Sequence, residues 1–210
     1  ALPGQVLVHG WWQKDGERMS KSTGNVVDPV AVIDEWGVDA FRYYVVRELD
    51  IGPDGNWTDE GFRSRYSAEL ANTLGNLMNR SLSMLQRYRG GTLETASDEL
   101  AAEAARQVEE TQQHYQSNRL QAALVSAWAL ADRANLYVEE TKPFKLAKQD
   151  DQAKRLNEVL YNLAEVCRIL AVLIWPVIPE TAEKIFAQIG AEGTPDNFAR
   201  ATWGGLKPGH

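Results

Sequence analysis

The chain has 210 residues, 44% hydrophobic and 24% charged, with a net charge of -7 at neutral pH, which is folded-protein material sufficient for one large core or two modest ones. The acidic balance excludes a protein that grips nucleic acid through a broad basic face, so any contact with RNA or DNA has to be local. No long run of consecutive apolar residues occurs, and Ala1-Leu2-Pro3-Gly4-Gln5 lacks a charged start followed by a hydrophobic stretch, so neither a membrane span nor a signal peptide is expected and the expected address is the cytoplasm.

In chain order, residues 5–12 read as a buried strand around Val6-Leu7-Val8 that runs into an aromatic corner. The polar stretch 13–25, with Gly16 and Gly24, reads as a loop. Asp28-Pro29 supplies an N-cap and a first-turn proline for a helix whose Val30, Ile33 and Trp36 recur at helical spacing until Gly37 stops it. A second helix is predicted from 39 to about 49, and the turn formers of 51–56 predict a hinge.

Helices dominate after that. One runs from Thr58, as N-cap with Asp59 and Glu60 in its first turn, to Gly90-Gly91, with Phe62, Tyr66, Leu70, Leu74, Leu77, Leu85 and Tyr88 along one face. Others are predicted over 97–116, about 118–140, 151–174 and 180–189, with Lys142-Pro143, Trp175-Pro176 and Gly190 as stops. Long amphipathic helices on short polar links predict an antiparallel bundle. Cys167 lies in the apolar run 163–174 and reads as core, and three scattered histidines with one cysteine give no zinc-ligand spacing, so no bound metal is expected.

The pentapeptide Arg18-Met19-Ser20-Lys21-Ser22, between the strand and the first helix, resembles the KMSKS signature of class I aminoacyl-tRNA synthetases. His9-Gly10-Trp11-Trp12 before it and Gly24-Asn25-Val26-Val27-Asp28-Pro29 after it are similar to the methionyl-tRNA synthetase family, as are 70–80, 139–144 and 203–209, so the resemblance covers essentially the whole chain. It implies a mainly α fold: the C-terminal remnant of a Rossmann-type catalytic domain over 1–55, then a helical anticodon-binding domain over 56–210. It also implies a methionine-tRNA ligase whose ATP-binding stretch is Arg18, Met19, Ser20, Lys21 and Ser22, with Lys21 as the catalytic residue. Adenylate formation builds negative charge on phosphate oxygens as pyrophosphate leaves, and an ammonium on a flexible stem between two small hydroxyls suits a loop that closes and reopens. Arg18 stands where the family pattern has its first lysine, which keeps the charge and adds a planar fork. Trp11 and Trp12 read either as seats for adenosine or as plain packing aromatics.

On a wheel of about 100° per residue, Asn72, Asn76 and Arg80 share a stripe facing away from Leu70, Leu74 and Leu77. Amide and guanidinium groups match the Watson–Crick edges of unstacked bases, although such a stripe is also what a solvated helix face looks like. The resemblance implies anticodon contacts at Asn76, Arg80 and Phe144, with Asn72 and Glu139 as further candidates. Many relatives carry tryptophan where this chain has Phe144, a smaller ring without the indole donor. Asn79 is assigned to the solvated face, and Arg87, Arg89, Lys142, Lys145 and Lys148 read either as guides for tRNA phosphates or, more commonly for such positions, as helix-end charges that complement the dipole or water.

The expected substrates and partners are ATP with Mg2+, methionine and methionine tRNA, with no metal held by the chain itself. No His-x-Gly-His occurs, so the methionine pocket and the HIGH-type motif are expected elsewhere in a longer parent, and the chain alone is expected to be inactive. Two alternatives stay open: another class I synthetase, for leucine, isoleucine, valine or cysteine, and a non-catalytic tRNA-binding helical module.

Overall fold

The computed structural model describes Gly4 and residues 6–209. The expected strand at 5–12 begins on a residue outside that set, and of its remainder only Trp12 is in a strand: residues 6–11 are not, and Val6 and Val8 are 73% and 75% exposed. Pairing starts later, where β1 (Trp12–Lys14) meets β2 (Glu17–Arg18) antiparallel and β3 (Gly55–Trp57) parallel. The β1–β2 turn is Asp15-Gly16, both at positive φ (53° and 80°), a combination that matches the twist of a hairpin.

The expected hinge at 51–56 is fastened rather than free. Trp11 N–H donates to Asp54 Oδ1 at 2.7 Å, Gly55 N–H to the Trp11 carbonyl at 2.9 Å and Gly16 N–H to Asn56 Oδ1 at 2.8 Å. Gly10 permits this approach, since a Cβ there would lie 2.0 Å from the Pro53 carbonyl oxygen.

Asp28 caps α1 (Pro29–Trp36), its carboxylate accepting from Val30 N–H at 2.9 Å, and α2 (Val38–Glu48) follows directly. These elements close a small aromatic core centred on Trp57, whose ring sits 4.8 Å from Tyr44, 5.3 Å from Phe62 and 6.4 Å from Trp12. Each such ring pair contributes about 0.5–1.5 kcal/mol beyond simple burial.

The single helix expected from Thr58 to Gly90 is three windings in series. Thr58 caps α3 (Asp59–Arg65) through Gly61 N–H at 2.9 Å, and Gly90, at φ 60°, ends α4 (Asn76–Arg89). Between them Tyr66–Gly75 is a π-helix, with Asn76 N–H reaching back to the Ala71 carbonyl and Thr73 Oγ1 to that of Ala68. The 100° wheel therefore does not hold across this stretch.

The main core is built on α8 (Ala153–Ile174), buried on all sides from Tyr161 to Ile174, against α4, α5 (Ala101–Gln116), α6 (Leu120–Thr141) and α9 (Pro179–Ile189). Ser97, expected to start α5, lies ahead of it, because its hydroxyl accepts from the buried Asn162 amide at 2.8 Å while Asn162 Oδ1 takes Leu100 N–H at 3.3 Å. The last segment is strapped to α8 by a buried pair: Glu165 accepts from Arg168 at 2.7 and 3.0 Å and from Leu206 N–H, and Arg168 donates to the Arg200 and Thr202 carbonyls at 2.5 Å.

Two polar clamps join α2 to the bundle. Glu69 accepts from Tyr43 Oη at 2.5 Å and pairs with Arg47 at 3.2 Å and Arg65 at 2.9 Å. Burial first, and then the Glu69 carboxylate, hold the Tyr43 phenol well above its ordinary value. Asp39 accepts from Thr181 N–H at 2.6 Å and Arg42 donates to the Val177 carbonyl at 2.7 Å, gripping the turn between α8 and α9.

Candidate functional site

The loop at 19–27 is anchored at both ends. Met19 and Val27 turn into the aromatic core, which makes Met19 a packing residue at the root of the loop. Asn25 organises what lies between: its carbonyl oxygen accepts from Ser20 N–H at 2.8 Å and Thr23 Oγ1 at 2.7 Å, and its amide donates to the Arg18 carbonyl at 3.1 Å. Ser20 and Ser22 hydroxyls meet at 2.7 Å, and Gly24 N–H returns to the Ser20 carbonyl at 3.2 Å. The result is a tight turn that presents Lys21 at its outer edge, exposed and with no ion pair to any described residue.

The two tryptophans ahead of the loop divide. Trp12 is half-buried in the aromatic core, whereas Trp11 is exposed with the Arg18 guanidinium 5.6 Å from its ring. Arg18 thus lies on an indole face, which suits a planar fork better than an ammonium.

On the bundle, Asn72 and Asn76 are exposed and neither side chain bonds to any described residue. Arg80 lies one α-turn beyond Asn76 and donates to Glu139 of α6 at 2.6 Å. Lys142, in the left-handed region at φ 48°, ends α6, and buried Pro143 opens the short helix α7 (Pro143–Leu146), leaving Phe144 42% exposed. Asn79 bonds within its own helix, accepting from Ser83 at 3.3 Å. Arg89 binds Asn157 and the Tyr88 and Ala153 carbonyls, a structural brace at the end of α4.

Sequence reasoning assigned no role to Asn25 or Asn135. Asn25 carries a weak signal, an amide directly after the positive-φ Gly24. Asn135, mid-helix on α6, donates to the Thr73 carbonyl at 3.1 Å, and only the packing of two helices reveals it.

Residues 1–82 match the family model for class I tRNA synthetases (M), and residues 88–210 match that for the anticodon binding domain of methionyl tRNA ligase. The methionine--tRNA ligase of Clostridium tetani is 43% identical over 92% of this chain and 31% of its own length; that of Bacillus subtilis is 44% identical over 90% and 30%. A Mycobacterium tuberculosis methionyl-tRNA synthetase solved in complex with methionyl-adenylate superposes with a TM-score of 0.87 at 35% identity, over 96% of this chain and 41% of that one. The chain therefore spans about a third of the length of the curated relatives it matches. With the anticodon-domain model alone covering 88–210 of 210 residues, the chain belongs to the methionyl-tRNA ligase family.

Proposed function

We propose that the chain carries the ATP loop and the anticodon-reading bundle of a methionine-tRNA ligase, and that it acts in the cytoplasm within a longer polypeptide that supplies the HIGH-type motif and the methionine pocket. Residues 1–55 are the end of the catalytic domain and 56–210 the anticodon-binding domain, with the aromatic core straddling that line because Phe62 and Tyr66 pack on Trp36.

The observation that carries the reading is Lys21, a free cation on a turn pinned at both ends. There it meets the charge that builds on the triphosphate of ATP as pyrophosphate leaves. Arg18, Ser20 and Ser22 shape the ATP-binding stretch and Met19 roots it. Mg2+ travels with the nucleotide's phosphate oxygens; among the described residues no three His, Cys, Asp or Glu side chains converge on a site for it. Asn72, Asn76, Arg80, Glu139 and Phe144 face the anticodon loop of methionine tRNA, with amides and guanidinium for base edges and the phenyl ring for stacking.

Lys21→Ala in the longer polypeptide is expected to lower ATP–pyrophosphate exchange about 100-fold or more while tRNA binding holds. Unchanged exchange would favour the non-catalytic module instead. Family membership argues against the leucine, isoleucine, valine and cysteine alternatives, and a charging assay that accepted one of those amino acids over methionine would reinstate them.

A further inference from the structure

The π-winding of residues 66–75 is held from outside its own helix. Two side chains of α6 reach its backbone: the Trp128 indole N–H donates to the Glu69 carbonyl at 3.1 Å, and the Asn135 amide donates to the Thr73 carbonyl at 3.1 Å. Asn135 also donates to Ala131 on its own helix at 3.2 Å, so both amide hydrogens have acceptors. Thr73 lies at the point where the wide winding gives way to α4, since Asn76 N–H bonds to the carbonyls of both Ala71 and Thr73. One turn further along α6, Glu139 holds Arg80.

A π-helix turns its side chains through a smaller angle per residue than the roughly 100° of an α-helix. Where the winding changes therefore sets the direction in which every later side chain points, beginning with Asn76. Asparagine is also a poorer helix former than leucine, and its place in the interior of a 22-residue helix calls for a compensating role.

We infer that Asn135, supported by Trp128, is a positioning residue for RNA reading: it pins the π-to-α switch at Thr73 and thereby aims Asn76 and Arg80. The inference rests on the anticodon-reading role proposed above for those two residues. Trp128 is buried and Asn135 half-buried, so they act through the backbone of 66–75 rather than by touching RNA.

The test is Asn135→Leu in the 210-residue chain, with two readouts. Hydrogen–deuterium exchange is expected to quicken across 66–80 while 101–116 is unchanged. Titration with methionine tRNA and with the same tRNA carrying a swapped anticodon is expected to show the preference between them falling by roughly tenfold, with binding of the swapped tRNA unaltered. A merely structural asparagine would weaken both tRNAs alike, and that result, or an unchanged preference in a folded variant, overturns the inference. Leu136→Ala, at an exposed neighbour on α6, is the control expected to leave both readouts alone. If the unsubstituted chain shows no preference while Asn135→Leu still quickens exchange at 66–80, the anticodon reading is overturned and the backbone pin stands. If Asn135→Leu does not fold, Trp128→Phe, which keeps a ring in place and loses the donor, decides in the same way.

Discussion

Replacing Arg80 by alanine separates stability from recognition, because the side chain is expected to carry different weights in each. Its ion pair with Glu139 is 2.6 Å long, but the two side chains are 37% and 61% exposed. Pairs this open to water contribute about 0–1 kcal/mol, so the folded chain is expected to lose no more than about 1 kcal/mol, or about 2–4 °C in Tm. A guanidinium on a base edge contributes about 1–3 kcal/mol of discrimination, which is about 5- to 150-fold in Kd. The loss in recognition is therefore expected to exceed the loss in stability. Fluorescence anisotropy with labelled methionine tRNA at several salt concentrations measures it. A base contact leaves the salt slope unchanged, whereas a phosphate contact lowers it by about one. An affinity within twofold of the parent, or a loss equal across anticodons with a shallower salt slope, would refute the base-reading role.

Two further predictions concern the bundle that carries this face. Glu165→Leu leaves Arg168 buried without its carboxylate and is expected to destabilise the chain by about 3–5 kcal/mol, towards the lower figure because the Arg200 and Thr202 carbonyls remain; urea denaturation checks it, and Glu165→Leu with Arg168→Met should recover much of the loss. Burial pushes the Cys167 thiol up to about 12 from an ordinary 9.0, so its contribution to stability is intact below pH 9.0 and is lost as pH rises from there towards 12. Urea midpoints measured from pH 8 to 11 are expected to fall less steeply for Cys167→Ala than for the parent.

What the sequence makes legible is what depends on local signals. Asp28-Pro29, Thr58, Gly90 and Gly190 mark helix ends because capping is a property of a few adjacent residues, and the apolar stripe of α8 marks a core helix because its period is intrinsic. The hairpin at Asp15-Gly16 was also within reach, since Asp-Gly is a turn signal, but strands of two and three residues are too short for alternation to show. Val6-Leu7-Val8 has the composition of a buried strand, yet Val6 and Val8 stand open to solvent and Leu7 is only half-buried. The π-winding and the donors that hold it were out of reach. Trp128 and Asn135 act across 59 and 62 residues of chain, and a periodicity of leucines does not tell an i to i+4 bond from an i to i+5 bond. The stripe of Asn72, Asn76 and Arg80 was thus drawn on the wrong wheel, although all three have side chains open to solvent.

The most direct test is one titration at fixed salt, with the 210-residue chain against methionine tRNA and against the same tRNA bearing another anticodon. Tighter binding of the first by about tenfold or more is the predicted outcome; equal affinities would mean that Asn76, Arg80 and Phe144 do not read the anticodon.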